Sequence, residues 1–310
     1  MIVTTRFPDL PPRPQTAANA AFRQRFAERW AREDVVFMAS TARFESQPLA
    51  AALSVRLVEQ GAASLVLGRR RLLVEPGQAL VVNEGERYAV SIAAARPVHC
   101  LAVHFRPGLA AEVAAARQRS WARALDDAPA HGRDAPRLLG QLQAPSPALR
   151  ARLAAIAALV RSGERDAAAY EAPFIALLDL LLDEDTVARR RLERLDAVRA
   201  GTRAELGRRA GWARDFILSH YAEPIGLADI AAAAHLSKYH LLRVFHQLYG
   251  VTPHALLRER RARAAAALIE GGAPDLAAVA EAAGFGSRWA MQRALRLHLG
   301  RSGRELRGAR

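Results

Sequence analysis

Residues 227–253 read LADIAAAAHLSKYHLLRVFHQLYGVTP and residues 276–303 read LAAVAEAAGFGSRWAMQRALRLHLGRSG; set one above the other, they are one pattern written twice. Leu227, Ala228, Ile230, Ala231, Ala234 and Leu236 align with Leu276, Ala277, Val279, Ala280, Ala283 and Phe285 at an offset of 49. From Ser237, Leu241, Arg243, Phe245 and Gly250 to Ser287, Met291, Arg293, Leu295 and Gly300 the offset is 50. The second copy therefore carries one extra residue between its two helices. Each copy has small residues where two helices must approach, an apolar residue in the turn, and a serine placed to accept from the free amides of the next helix. Those are the marks of a helix-turn-helix. The motifs span 226–248 and 275–299.

The second helix of each copy has a clear inside. Leu241, Val244, Phe245 and Leu248 recur at helical spacing and leave Lys238, Tyr239, Leu242, Arg243 and His246 outward. In the second copy Met291, Leu295 and Leu299 face in, while Arg288, Trp289, Gln292, Arg293 and Arg296 face out. Arginine and lysine hold phosphates or donate two bonds to guanine, and aromatic rings pack on sugars and thymine methyls, so this mixture suits a helix lying in a DNA groove. The plainer reading of one such face is a solvated flank; its duplication favours the groove. Residues 253–271, between the copies, are predicted as a helix of roughly 28 Å at 1.5 Å per residue. That length could set two reading helices near the ~34 Å repeat of the major groove. His235, His240, His246 and His254 crowd the first motif at spacings that read as helix surface, not as a ligand set.

Charge agrees with a polyanionic partner. The net charge is +14, and residues 201–310 hold 17 basic and 9 acidic side chains against 28 and 22 in the first 200. All the basic residues but Lys238 are arginine, so a general bias toward arginine also feeds the total, and the distribution says more than the sum.

Further out, Thr202 and Glu205 stand at the spacing of a reciprocal helix cap, predicting that a new unit begins just past Gly201. Residues 108–200 are rich in Ala, Leu and Arg at helical spacing, with breaks near 128–136 and 143–147. There Phe174, Leu177, Leu178, Leu181 and Leu182 form an apolar stripe that either packs on the chain's own neighbouring elements or pairs two subunits. Between 35 and 106 the period changes to short runs, LSVRLVE, SLVLG, RLLVEPG, ALVVNEG, RYAVSIA and VHCLAVHF, punctuated by Gly61, Gly68, Pro76–Gly77 and Gly85. That is an antiparallel sandwich or barrel. Before it, Phe22, Phe26 and Trp30 predict a helix over 17–33. The single Cys100 excludes an intrachain disulfide and cysteine-rich metal sites. The N-terminus MIVTTRFPDLPPRPQ lacks a leader pattern, and no run reaches the ~18 apolar residues of a spanning helix, so a cytoplasmic protein without membrane association is expected.

At these residues the chain resembles the AraC/XylS family of bacterial transcription regulators. The likeness covers about 205–307 and is carried by FILSHYAEPIGLADIA, the S-x-x-x-L-x-R-x-F pattern from Ser237 to Phe245, Gly250 with Pro253, the Arg261 region with Ala265 and Leu268, and Gly284–Phe285. It implies base or near-base contacts from Tyr239, Leu242 and Arg243 in the first motif and Arg288, Trp289, Gln292 and Arg293 in the second. Ser237, Lys238, Ser287 and Arg296 complete the expected DNA-binding set. The chain departs from the family where a proline usually stands: Gly303 there predicts a loosened start of the last helix.

The strands are similar to the cupin-like sensor barrel of that family, through EPGQALVVNEGERY. His99 and His104 are an odd number apart and lack the same-face pairing a metal-binding cupin needs, and Tyr88 stands where another ligand would, so no metal and no cofactor is expected. Glu59, Tyr88 and His99 are polar residues on otherwise apolar strand faces, satisfied either by internal partners or by an effector. The expected protein is thus α+β and multidomain. Residues 1–107 are a cupin-like antiparallel β-barrel with an N-terminal helix, 108–200 a helical linker and dimerisation region, and 201–310 an all-α domain with two helix-turn-helix motifs. It is expected to be a sequence-specific regulator, not an enzyme, binding double-stranded DNA as a homodimer, with a small-molecule effector and RNA polymerase as further partners. A non-specific architectural DNA binder and a cupin enzyme with a basic helical appendage are the alternatives.

Overall fold

A computed structural model describes residues 1–6, 32–46, 48–118, 136–193, 195, 200–273 and 275–308. They form two compact units, Met1–Arg189 and Arg190–Arg310. The helix expected over 17–33 lies outside the described residues except for Arg32 and Glu33, which form a turn and a bend.

The first unit is built on one nine-stranded sheet: β1 (Ile2–Thr4), β2 (Val35–Glu45), β3 (Leu49–Ala50), β4 (Ser54–Gln60), β5 (Ala63–Leu67), β6 (Arg70–Val74), β7 (Ala79–Val82), β8 (Arg87–His104) and β9 (Leu142–Gln143). The main path is β1-β2-β8-β4-β7-β9, with β3 and β5 on β8 and β6 on β5. All pairings are antiparallel except β1 with β2, which is parallel, a departure from the expected pattern.

The runs RYAVSIA and VHCLAVHF are not two strands. They are the two halves of β8, joined through Ala94–Pro97, where the pairing with β2 slips between Thr41 and Arg43. Proline is tolerated there because the slip leaves no ladder bond for its missing N–H. The joint also bends the strand. Arg56 pairs with Ala102, and a straight strand would hold Tyr88 about 46 Å from that point at ~3.3 Å per residue, yet the Arg56 guanidinium carbon lies 4.0 Å from the Tyr88 ring centroid. The sheet therefore curls over and faces itself.

Strand alternation sorts the two faces. Val36, Leu53, Val55, Ala79, Val81, Leu101, Val103 and Phe105 point outward from the curl and share a core with α2 (Pro147–Arg161) and α3 (Ala168–Leu192); α1 (Leu109–Gln118) joins through Leu109 and Ala110. The stripe Phe174, Leu177, Leu178, Leu181 and Leu182 is spent on this contact, with Phe174 edge-on to Phe105 at 5.7 Å. The first of its two readings, packing within the chain, is what the structure shows. Full burial of side chains such as Phe174 and Tyr170 is worth about 1.5–3 kcal/mol each, which fixes the helices on the sheet.

The second unit has seven helices among the described residues: α4 (Ala200–His220), α5 (Leu227–Ala233), α6 (Lys238–Tyr249), α7 (Pro253–Glu270), α8 (Leu276–Ala282), α9 (Arg288–Leu299) and α10 (Gly303–Gly308). Thr202 does not cap α4, which is already helical at Ala200; Glu205 instead pairs with Arg209 one turn on, at 2.6 Å. Two cores meet along α7. Leu257 near its start packs with Ile217, Ile230, Leu241 and Phe245, and Ala262, Ala265 and Ile269 in its second half pack with Val279, Met291, Leu295 and Leu306.

Candidate nucleic-acid interface

The duplication is present in three dimensions down to the caps. Ser237 Oγ accepts from His240 N and Ser287 Oγ from Ala290 N, each at 3.2 Å, and α6 and α9 stop at Gly250 and Gly300 in the left-handed conformation (φ 70° and 66°). α5 and α8 correspond at an offset of 49 and α6 and α9 at 50, as the sequence required. The extra residue falls in the second turn, at the exposed stretch Gly286–Ser287. Serine-to-alanine changes at caps of this kind cost about 0.5–2 kcal/mol, so Ser237→Ala and Ser287→Ala should each lower the unfolding free energy measured in urea by that amount.

Ahead of each serine the chain reverses through one left-handed residue, His235 (φ 52°) in the first motif and Gly284 (φ 78°) in the second. His235 is thus a turn residue and not part of a helix surface. Its carbonyl accepts from Arg209 and its ring stands edge-on to Trp212. The matching glycine has no room for such a side chain: a Cβ there would lie 2.6 Å from the Tyr221 carbonyl oxygen and 2.9 Å from Ala222 Cα.

Burial divides α6 and α9 as the spacing predicts. Leu241, Val244 and Phe245, and Met291, Ala294 and Leu295, are buried. Ser237, Lys238, Tyr239, Leu242, Arg243 and His246 are exposed, as are Ser287, Arg288, Trp289, Arg293 and Arg296. Tyr239 is 78% and Trp289 71% exposed, a costly position for large rings that leaves both available to a partner. Arg293 lies over Trp289 at 5.6 Å. Among the described residues none of Lys238, Arg243, Arg288, Arg293 and Arg296 forms an ion pair, while Asp275 feels the charge of Arg288 and Glu305 that of Arg296.

Gln292 is placed differently. It is half-buried, and its Oε1 accepts from Gly303 N at 3.1 Å. That bond, together with Ser302 and Glu305, removes the expected looseness at the start of α10. Ser302 N donates to Glu305 Oε2 at 2.5 Å and Glu305 N to Ser302 Oγ at 3.3 Å, a reciprocal cap that also holds the Glu305 carboxyl below its ordinary range. The chain thus replaces a ring-fixed start with hydrogen bonds.

The two motifs are tied together through α7. Arg261 donates from Nε to the Tyr221 carbonyl at 2.6 Å and from a terminal nitrogen to that of Glu223 at 2.7 Å. Its guanidinium pKa is lowered by burial, and Arg260 covers the Tyr221 ring at 3.8 Å. The 221–223 loop, which leads into the first motif, therefore touches both α7 and the Gly284 turn of the second.

In the first unit, Glu59, Tyr88 and His99 do not converge. Glu59 is exposed and binds Arg161, the last residue of α2, at 2.7 Å. His99 is exposed near the β8 joint, beyond the covered part of its face. Tyr88 is buried inside the curl under Arg56. Among the described residues the buried histidine is His104; burial first, then the charge of Arg56, keeps its pKa well below the usual value. No group of three or more His, Cys, Asp or Glu that could hold a metal gathers among the described residues, and none of their helices is long and apolar enough to cross a membrane.

Comparison with known proteins agrees with both halves. A family model described as an AraC-like ligand binding domain matches residues 43–178, and one described as a helix-turn-helix domain matches 230–309. An uncharacterized HTH-type transcriptional regulator, YbfI of Bacillus subtilis, is 40% identical over 58 residues, 19% of this chain and 21% of its own. This chain thus matches about a fifth of the length of that curated relative. Among solved structures, the C-terminal domain of AraT, a response regulator from Geobacillus stearothermophilus, is 24% identical, covering 33% of this chain and 85% of that one (TM-score 0.32). ToxT from Vibrio cholerae is 10% identical, covering 88% and 97% (TM-score 0.34). With an AraC-like ligand-binding domain followed by a helix-turn-helix domain, in the order the sequence led us to expect, the chain has the two-domain make-up of the AraC/XylS family.

Proposed function

We propose that residues 201–310 bind double-stranded DNA sequence-specifically, with α6 and α9 in successive major grooves, and that the sheet unit makes this binding respond to a small molecule. The carrying observation is the repeated exposed face, Lys238, Tyr239, Leu242, Arg243 and Arg288, Trp289, Arg293, Arg296, on two helices with the same cap, the same buried positions and no ion pair at any of these cations. In this reading Arg243 and Arg293 reach base edges. Tyr239, Leu242 and Trp289 supply apolar contact, while Lys238, Arg288, Arg296 and the amides beside Ser237 and Ser287 hold phosphates. Gln292 would read a base only by giving up its bond to Gly303.

Selection from a random DNA library with the full chain is expected to return a bipartite site whose halves lie about one helical turn apart. Sequence-indifferent retention would instead mean an architectural binder. Affinity for the selected site should fall with salt: three cations on phosphates give a slope of about −3 in log K against log salt, and a slope near zero would remove them from the interface.

The family likeness also supports a cytoplasmic regulator without enzymatic activity that acts as a homodimer and contacts RNA polymerase. The apolar stripe of α3, packed on the chain's own sheet, lends no support to pairing.

A further inference from the structure

The register of the two motifs runs on past α6 and α9. Thr252 Oγ1 accepts from Ala255 N at 3.2 Å and Ser302 Oγ from Glu305 N at 3.3 Å, so α7 and α10 start at equivalent places, still at an offset of 50. That register sorts the six arginines from Arg288 to Arg307. Arg301 and Arg307 are held inside the chain, by Glu270 at 3.1 Å and by the Ala273 carbonyl at 3.3 Å, and their counterparts are the apolar Val251 and Leu257. The side chains of Arg288, Arg293, Arg296 and Arg304 form no ion pair or hydrogen bond among the described residues. Opposite each of these four the first motif keeps a basic side chain: Lys238, Arg243, His246 and His254. A positive group kept only where the chain itself does not use it points to an anion outside the chain. Two of the four are imidazoles, which change their charge between about pH 5 and 8, whereas arginine does not.

His246 is exposed in the last turn of α6, one turn beyond Leu242 and Arg243 on the outward face. The charged residues nearest in sequence are Arg243 on the same helix and His254 and Arg258 at the start of α7. The elements packed against α6 are α4, α5 and α7, and their carboxylates are engaged elsewhere. Glu205 pairs with Arg209, Asp229 accepts from Gly226 N, Glu259 binds Arg263 and Glu270 binds Arg301, while Asp215 is buried and acts with Arg214 on Tyr249. Among the described residues His246 thus has no acid partner.

We infer that His246, in its protonated form, holds a DNA phosphate as Arg296 does in the second motif, so that one half of the site is gripped only with a bound proton and the other at any neutral pH. The inference rests on the proposed seating of α6 and α9 on DNA and names a contact within it. The step is a proton uptake: a solvent proton joins the free ring nitrogen, and one of the two ring N–H groups then donates to a phosphate oxygen. An anion beside an imidazole favours the charged form, so binding and protonation reinforce each other.

Binding of the full chain is measured against pH and salt, on the duplex returned by selection and on a random duplex of the same length, because a phosphate contact is blind to sequence. Proton uptake makes affinity fall as pH rises: it should drop about five- to twentyfold from pH 6 to pH 8 on both duplexes. The salt slope should be steeper by about 1 at the lower pH. His246→Arg should bind at the higher pH as tightly as the parent does at the lower and lose most of the pH dependence. His246→Gln should bind at the lower pH only as the parent does at the higher, and His254→Arg should leave the dependence in place. A parent affinity that changes less than about twofold over this range, or a dependence that survives His246→Arg or vanishes with His254→Arg, would overturn the inference. The reading beneath it fails separately, if the selected and random duplexes are bound equally well.

Discussion

Gly284→Ala is expected to destabilise the second unit by about 2–5 kcal/mol. Two causes add. At φ 78° an L-residue pays about 1–2 kcal/mol for left-handed geometry. The new Cβ would also stand within 2.6–2.9 Å of the Tyr221 and Ala222 backbone, and overpacking of this kind costs a further ~1–3 kcal/mol. Backbone atoms cannot swing aside as a side-chain tip can, so the 221–223 loop must move, and with it the entry to the first motif. Urea unfolding should show the loss in the transition of the second unit alone, and DNA affinity should drop in parallel. His235→Ala is the matched control: that position already carries a side chain in the same conformation, so its cost should stay below about 1 kcal/mol, mostly the edge contact with Trp212. Equal stability of Gly284→Ala and the parent would show that the loop yields and that the turn is not a fixed joint.

Arg243→Ala combined with Arg293→Ala should weaken binding to a selected site by about 2–6 kcal/mol, because each bidentate contact to guanine is worth ~1–3 kcal/mol and the two sites are far enough apart to add. Random DNA should lose much less. That difference separates base reading from phosphate holding: equal losses on both DNAs would reassign the two arginines to the backbone. Each single change should relax the selected sequence in one half only, Arg243 in one and Arg293 in the other. Arg293 carries the further expectation that Trp289→Ala lowers its effect, since the indole lies beneath the guanidinium.

The second unit was legible in the sequence because its signals are local. Ser237 and Ser287 cap the helix that follows them, Gly250 and Gly300 end it, and the buried residues recur every three or four positions, so one helical turn contains most of the information. What failed was non-local. Gln292 faces outward by helical arithmetic, yet Gly303, eleven residues later, takes its carbonyl oxygen, and nothing in the intervening sequence announces that bond. Thr202 and Glu205 had the right spacing for a cap, but the helix starts before them. In the sheet, Arg96 and Pro97 imitate a turn between two strands, whereas the strand runs through and bends. Arg56 escaped notice for a related reason: in SVRLV a charged residue between apolar neighbours reads as the solvent side of a half-buried strand, and only the curl of the sheet makes that side an interior. Strand alternation puts His99 on the face of Leu101 and Val103, but it does not say where along the strand the cover ends.

The helix shared by the two cores, α7, stores an angle as well as a length. Its 18 residues rise about 27 Å, and each residue advances the rotation by about 100°. Deleting or inserting one residue between Leu257 and Ala262 would shift the second motif by only ~1.5 Å along the rod, yet it would turn α9 roughly a quarter of the way around it. On the proposed reading, the exposed side chains of α6 and α9 set which bases are read, whereas the residue count of the rod sets the phase between the two half-sites and has to be kept.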